Sequence, residues 1–312
     1  MRLIRSILFQ VPAIKRVRQV RDALIQEQAQ LIQERDSLLQ EQAQLIQERD
    51  SLLQERDNLL QEQNRLKQER DFLIEFKQSG VSLKISENDE MYVSSNPKHY
   101  FSVGKSALSI IEKSLSFRVQ GANNISRILD MPCGHGRVTR ILKARFPGAG
   151  LTVCDLNRDG VDFCVEEFGA CGVYSSNNFS EVEFENSFDL IWVGSLITHF
   201  NSNQTRNFLT FITKYLDSDG VLILTSHGTF VAKRILHNHY GLLEHDVSSV
   251  LAGYFSVGYG YADYPNSSNY GISIISRTWL DTFFQGTNFI ISEHYEQLWD
   301  NHQDVFIVRR HS

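Results

Sequence analysis

The chain has 312 residues and a formal charge of −6, with 31 Lys and Arg against 37 Asp and Glu, and its first quarter differs so sharply from the rest that two architectural pieces are expected. The four cysteines, Cys133, Cys154, Cys164 and Cys171, form no Cys-x-x-Cys pair, which disfavours a zinc site or a disulfide framework and suits a reducing cytosol. The acidic balance beyond residue 21 argues against a broad nucleic-acid surface, and no apolar run reaches the roughly 20 residues that span a bilayer.

Residues 1–24 form a basic amphipathic segment. Arg2, Arg5, Lys15, Arg16, Arg18 and Arg21 occur with no acid among the first 21 residues, interleaved with Leu3, Ile4, Ile7, Leu8, Phe9, Val11, Ile14 and Val17. Pro12 is expected to break it into two short helices. Two readings stand side by side: a peripheral contact of residues 1–21 with the anionic inner face of a membrane, or a solvated start to the helix that follows. The segment lacks a signal-peptide core and cleavage site, so a cytoplasmic protein is expected.

From Gln26 a seven-residue unit repeats without a slip, and Leu31, Leu38, Leu45, Leu52, Leu59, Leu66 and Leu73 keep a seven-residue period. With neither Gly nor Pro between residues 13 and 79, residues 25–79 are expected to form a coiled coil, a rod of about 75 Å over seven heptads. Each of Leu31, Leu38, Leu45, Leu52 and Leu59 is followed by a second apolar residue, and Gln or Arg fills the other core position. That widened stripe lets each helix touch two neighbours, so a homo-oligomer is expected, a trimer in preference to a dimer.

Gly80 ends the helix, residues 80–96 read as a polar linker, and residues 97–312 as a globular domain opening on an amphipathic helix from Pro97 to Ile111. Arg127–Met131 reads as a buried strand running into the turn Cys133-Gly134-His135-Gly136, which opens a helix and brings backbone N–H groups up to a ligand. The second strand ends on Asp155, 19 residues past Gly136, where a carboxylate can accept from both hydroxyls of a ribose. Further strands are expected at 172–175, 188–193 and 221–226; their unbroken apolar runs suit parallel strands covered on both faces. Strands at 288–295 and 304–309 can pair antiparallel at the sheet edge, after a strand expected at 271–276 and a short helix at 278–284. Tyr254, Tyr259, Tyr261 and Tyr264 suit either a sugar-stacking lid or a partly buried hairpin.

The stretch Ile-Leu-Asp-Met-Pro-Cys-Gly-His-Gly-Arg at 128–137 resembles the first motif of the class I S-adenosylmethionine-dependent methyltransferases, Leu-Asp-x-Gly-x-Gly-x-Gly. Asp155 is similar to that family's ribose acid, Phe-Asp-Leu-Ile-Trp at 188–192 to its fourth strand, and Leu-Asp-Ser-Asp-Gly-Val-Leu at 216–222 to its turn into strand five. Pro132 departs from the pattern by replacing the first glycine. The resemblance spans residues 90–310 and implies an α/β fold, a doubly wound, mostly parallel seven-stranded sheet with an antiparallel terminal strand, preceded by the long helix.

The resemblance further implies S-adenosyl-L-methionine as cofactor. Asp130, Cys133, Gly134 and Gly136 would then surround its methionine part, Asp155 its ribose and Asn177 or Asn178 its adenine edge, with His135 and Leu156 completing the set. Ser195 to His199 would line the opposite wall. For a hydroxyl acceptor a base is needed, and His199 is the first candidate, His227 the second. No His, Asp or Glu cluster has metal-ligand spacing, so metal independence is expected.

An NAD enzyme is disfavoured because Thr139 stands where G-x-G-x-x-G needs its third glycine. An amino-methylating nucleic-acid enzyme is disfavoured because Gly194-Ser195-Leu196-Ile197 follows strand four. The layout of basic segment, rod and methyltransferase resembles bacterial surface-polysaccharide enzymes, which implies O-methylation of a sugar in a cell-surface glycan or its precursor. A small metabolite or a protein is the alternative acceptor, and a coiled-coil scaffold with a non-catalytic nucleotide-binding domain is the alternative from another class.

Overall fold

The computed structural model describes residues 12–116 and 124–311, so Met1 to Val11 of the basic segment lie outside the described residues. The chain divides into two compact units, Met1–Arg70 and Asp71–Ser312. No described helix is long and apolar enough to cross a membrane.

The first unit is helical throughout its described part. Helix α1 runs from Pro12 to Gln78 over 67 residues without interruption, so the division drawn at residue 24 falls within one helix. Pro12 opens it, a position where the missing N–H costs no hydrogen bond. Along the first unit its leucines are exposed: Leu38, Leu45 and Leu52 are 60%, 59% and 57% exposed. Arg35, Arg49 and Arg56 each pair with the aspartate that follows, exposed contacts that add little stability.

The last turns of α1 belong to the second unit. Phe76 is buried with Val81, Tyr100, Phe101 and Ile141, and Phe72 and Leu73 pack on that cluster. Gly80 then takes φ +81°, and Val81 N–H bonds back to the Phe76 carbonyl at 3.3 Å, the left-handed stop that glycine permits.

Seven strands form one sheet: β1 (Arg127–Asp130), β2 (Gly150–Asp155), β3 (Cys171–Tyr174), β4 (Phe188–Val193), β5 (Leu216–Ser226), β8 (Phe289–Trp299) and β9 (Gln303–Arg310). Their order is β3-β2-β1-β4-β5-β9-β8. The first five are parallel and β9 is antiparallel to both neighbours. The central strands are covered on both faces, and all six residues of β4 are buried, which explains their apolar runs.

Helices α2 (Pro97–Leu115), α3 (Thr139–Arg145) and α4 (Arg158–Phe168) contribute Ile111, Leu115, Leu142, Val161 and Phe168 to the core on one face. Helices α5 (Ser202–Ile212) and α8 (Arg277–Phe284) contribute Phe208, Leu209, Ile212, Leu280 and Phe284 on the other. Between β5 and β8 the chain adds α6 (Thr229–Arg234), α7 (Glu244–Val257) and a hairpin of β6 (Tyr259–Asp263) and β7 (Gly271–Ile275). The strand expected near residue 271 therefore lies outside the main sheet, paired only with β6.

Candidate functional site

The β1–α3 turn sits at the carboxyl end of the parallel strands, beside the point where the order reverses between β1 and β4, the place where open α/β sheets bind ligands. Gly134 takes φ +50° and a Cβ there would meet no atom within 4 Å, so its bare backbone faces open space. Gly136, at φ +80°, differs: a Cβ would fall 2.4 Å from the Phe168 ring and 3.1 Å from Cys164 Sγ. Its role is close packing of the turn on α4, and it does not line the cleft as the sequence suggests. Gly160 is equally constrained, because a Cβ would stand 2.4 Å from the Gly134 carbonyl oxygen. Here α4 presses directly on the turn.

A cleft of about 1110 Å³ opens over this turn. Cys133, Gly134, His135, Asp155, Leu156, Asn177, Ser195 and His199 all line it, so strand ends remote in sequence converge on one space. Asp155 accepts the Gly134 N–H on Oδ2 at 2.7 Å and the Asn157 N–H on Oδ1 at 2.9 Å, which fixes the carboxylate against the turn. The neighbouring Cys164 thiol, which donates to the Gly134 carbonyl at 3.7 Å, and burial together push the Cys133 pKa above the ordinary thiol value. Cys133 is a packing group and no nucleophile.

Asp130 ends β1, is 1% exposed and, unlike the neighbouring Met131, does not line the cleft. Its Oδ2 accepts from the Thr139 hydroxyl at 2.6 Å, while the buried Oδ1 has no partner. Burial raises its pKa from 3.8 to about 7, opposed by the Thr139 hydrogen bond. A buried carboxylate oxygen left without a donor is costly when ionised, which is why burial favours the protonated acid.

The opposite wall is held by a closed ring of hydrogen bonds. Ser195, at φ +59°, donates its N–H to Thr225 Oγ1 at 2.8 Å; the Thr225 hydroxyl donates to Gln303 Oε1 at 2.6 Å; Gln303 Nε2 donates to Ser195 Oγ at 2.9 Å. Three strands, β4, β5 and β9, thus set one loop. The 3-10 turn Ile197–His199 follows it. His199 Nδ1 is 3.0 Å from the Gly271 carbonyl oxygen, and its ring stacks on Tyr270 at 4.9 Å. A carbonyl only accepts, so Nδ1 carries the proton and Nε2 keeps the basic lone pair. Burial lowers the His199 pKa, which favours the neutral ring.

Two other residues are placed differently from expectation. His227 is 6% exposed, hydrogen-bonded through Nδ1 to the Ser273 carbonyl and packed edge-on against His302; it does not line the cleft. Burial drops its pKa to about 3. Asn178 accepts from Ser180 N–H to cap a 3-10 turn and binds Glu181, so Asn177 alone of the pair lines the cleft. Among the tyrosines, Tyr259 is buried against Trp279 and bonded to Thr205, and Tyr254 bonds Thr229. Tyr264 reaches within 3.4 Å of His199 Nδ1.

The stretch after Gly80, expected as a plain linker, forms a cleft wall: Asn88, Asp89, Glu90 and Met91 line it. Arg140, 1% exposed, ties that segment down by donating to the carbonyls of Ser82 and Lys84 at 2.9 and 2.8 Å. Asn88 Nδ2 donates to Asp159 Oδ2, which also meets His135 Nε2 at 2.8 Å. Nothing in the polar sequence Ser86–Glu90 signals this role. A buried arginine that needs backbone acceptors supplies it. Trp299 and Tyr270, from far down the chain, complete the wall. Among the described residues no group of three His, Cys, Asp or Glu could hold a metal ion.

The seven-stranded, mostly parallel sheet with one antiparallel strand is an α/β methyltransferase fold. Residues 128–220 match the family model described as a methyltransferase domain. Over 140 residues the chain is 25% identical to the malonyl-[acyl-carrier protein] O-methyltransferase of Acetivibrio thermocellus, covering 45% of this chain and 49% of that protein. It is 28% identical over 127 residues to ribosomal RNA small subunit methyltransferase C of Salmonella choleraesuis, covering 38% and 36%. The chain thus spans half or less of the length of these relatives. The crystal structure of the PH0226 protein from Pyrococcus horikoshii superposes with a TM-score of 0.50 at 13% identity, covering 70% of this chain and 95% of that one, a likeness of fold. The matched methyltransferase domain implies S-adenosyl-L-methionine as cofactor, and the cleft residues fit it: an open glycine turn at Gly134 and a carboxylate at Asp155 for the ribose.

Proposed function

We propose that the chain is an S-adenosyl-L-methionine-dependent methyltransferase that O-methylates a sugar of a cell-surface glycan or its precursor. One observation supports the enzyme reading: the turn Cys133–His135, Asp155, Asn177 and His199, remote in sequence, converge on a single cleft at the carboxyl end of the parallel strands. When bound, the cofactor supplies a methyl group already activated as a sulfonium, so the protein needs to align donor and acceptor and take a proton. The Nε2 lone pair of His199 is suited to take it from a hydroxyl.

Support for a sugar comes from the wall around His199. Asn203 and Asn207 offer amide groups, beside Asn201 and Gln204, which are engaged in capping α5 and in bonds to Asn269, and Phe200 and Tyr270 offer ring faces. Amides that both donate and accept match vicinal hydroxyls, and ring faces match the C–H side of a pyranose. Titration calorimetry with S-adenosylhomocysteine tests the enzyme reading; absence of heat would leave only a scaffold. Incubation with labelled methyl donor and a cell-envelope glycan fraction tests the acceptor, and label entering only protein or nucleic acid removes the sugar. We also propose that α1 self-associates as a homo-oligomer, trimer in preference to dimer, since its repeating leucines are exposed in the single chain.

A further inference from the structure

The first three turns of α1 depart from the repeat that governs the rest of the helix. Ala13 and Val20 stand in the heptad column that is Glu in every later repeat from Glu27 to Glu69, and Lys15 stands in the column of Asp22, Asp36, Asp50 and Asp57. Residues 12–21 hold Lys15, Arg16, Arg18 and Arg21 with no acid, whereas residues 22–78 hold seven bases against thirteen acids. Arg21 pairs with Asp22. The first turn lacks an acid, the reverse of what the positive end of a helix dipole favours, so these bases do not serve the helix itself.

At about 100° per residue, Ala13, Ile14, Val17, Val20, Leu24 and Ile25 fall within one arc of about 140°, with Arg16 and Arg18 on its two borders. Val17, Val20, Leu24 and Ile25 are each more than half exposed, and Lys15 and Arg16 are exposed. An apolar arc bordered by bases matches the boundary of an anionic bilayer, where cationic heads lie among phosphates and aliphatic groups enter the acyl layer. A nucleic-acid duplex offers the phosphates and no apolar medium for Val17 and Val20. We propose that residues 12–25 of α1 dock peripherally on an anionic lipid surface, through Lys15, Arg16, Arg18 and the apolar arc. This surface is independent of the methyltransferase reading.

The test is co-sedimentation of the full chain with vesicles of phosphatidylcholine alone and of phosphatidylcholine and phosphatidylglycerol in equal parts. Three proteins are compared: the wild type, a triple variant Lys15→Gln, Arg16→Gln, Arg18→Gln, and Val20→Gln. Glutamine keeps a high helix propensity, and helical circular dichroism reports that both variants fold. The wild type is expected to sediment with the mixed vesicles only, and added salt should weaken that binding. The triple variant should bind about a hundredfold more weakly, at about fivefold per base near the surface, and Val20→Gln about tenfold more weakly, the worth of burying one valine side chain. Arg2 and Arg5, outside the described residues, are kept throughout, so the loss reports on α1. Equal sedimentation with both vesicles, sedimentation with neither, or unchanged binding of the triple variant overturns the proposal. So does a response to the bases with none to Val20→Gln, which marks a contact of charge alone; a gel shift with RNA on the same preparations identifies that alternative.

Discussion

Asp130 is a buried acid whose folded pKa, about 7, stands above its ordinary 3.8. Protonated, it is tolerated; ionised, it lacks a donor for Oδ1. Its contribution to stability is therefore fully present below pH 3.8 and is lost as pH rises through 7. Asp130→Asn should raise stability at pH 8 by about 1–3 kcal/mol, the cost of an unsatisfied buried group; chemical denaturation at pH 5 and pH 8 shows whether the gain is confined to the higher pH. At His199 burial works in the opposite sense and holds the pKa below 6.5. Activity should rise with pH along a limb whose midpoint lies below 6.5, and His199→Gln should lower kcat about 10²–10⁴-fold, the usual worth of a general base, with S-adenosylhomocysteine binding unchanged. His227→Asn, remote from the cleft, should leave that pH limb in place.

At the scale of elements, the turn is shaped from behind as much as by its own glycines. Asn157 caps α4 by accepting from Gly160 N–H, and the bare Gly160 lets that helix end touch the Gly134 carbonyl. Backbone cannot yield as a flexible side chain can. Gly160→Ala is expected to displace the turn, weakening S-adenosylhomocysteine more than about tenfold and costing about 1–3 kcal/mol of stability, the range for overpacking; calorimetry and a thermal melt on one preparation read both. The wall opposite is set by the ring through Ser195, Thr225 and Gln303, in which β9, the antiparallel strand, positions a loop that β4 begins.

At the scale of the whole molecule, α1 has a periodic apolar stripe that is exposed from Leu31 to Leu66. Apolar side chains spaced every seven residues gain by burial against copies of themselves, at about 25 cal/mol per Å² removed from water. Replacing Leu38, Leu45 and Leu52 together by Asp in the full chain should reduce the light-scattering mass to that of one 35.8 kDa chain. S-adenosylhomocysteine binding should persist, because every cleft residue lies beyond Arg70. An unchanged mass in the variant would remove the assignment of the stripe to self-association.

The local chain order determined much of this protein. Unbroken apolar runs mark β1, β2, β4 and β5, the turn glycines and Asp155 mark the ligand end of the sheet, and a slip-free heptad marks α1, because each signal rests on neighbours within a few residues. Tertiary structure alone decided which of those residues face the cleft. Gly136 and Gly134 look alike in sequence and differ only in what lies behind them, Phe168 or open space. His199 and His227 both follow apolar strands, yet one lines the cleft and the other is sealed against Ser273 and His302. Residues 88–91 read as linker and become wall because distant groups hold the stretch: Arg140 donates to the Ser82 and Lys84 carbonyls, Asn88 bonds Asp159 and Tyr100 bonds Asp89. Burial and hydrogen-bond satisfaction depend on atoms distant along the chain, which no local pattern encodes.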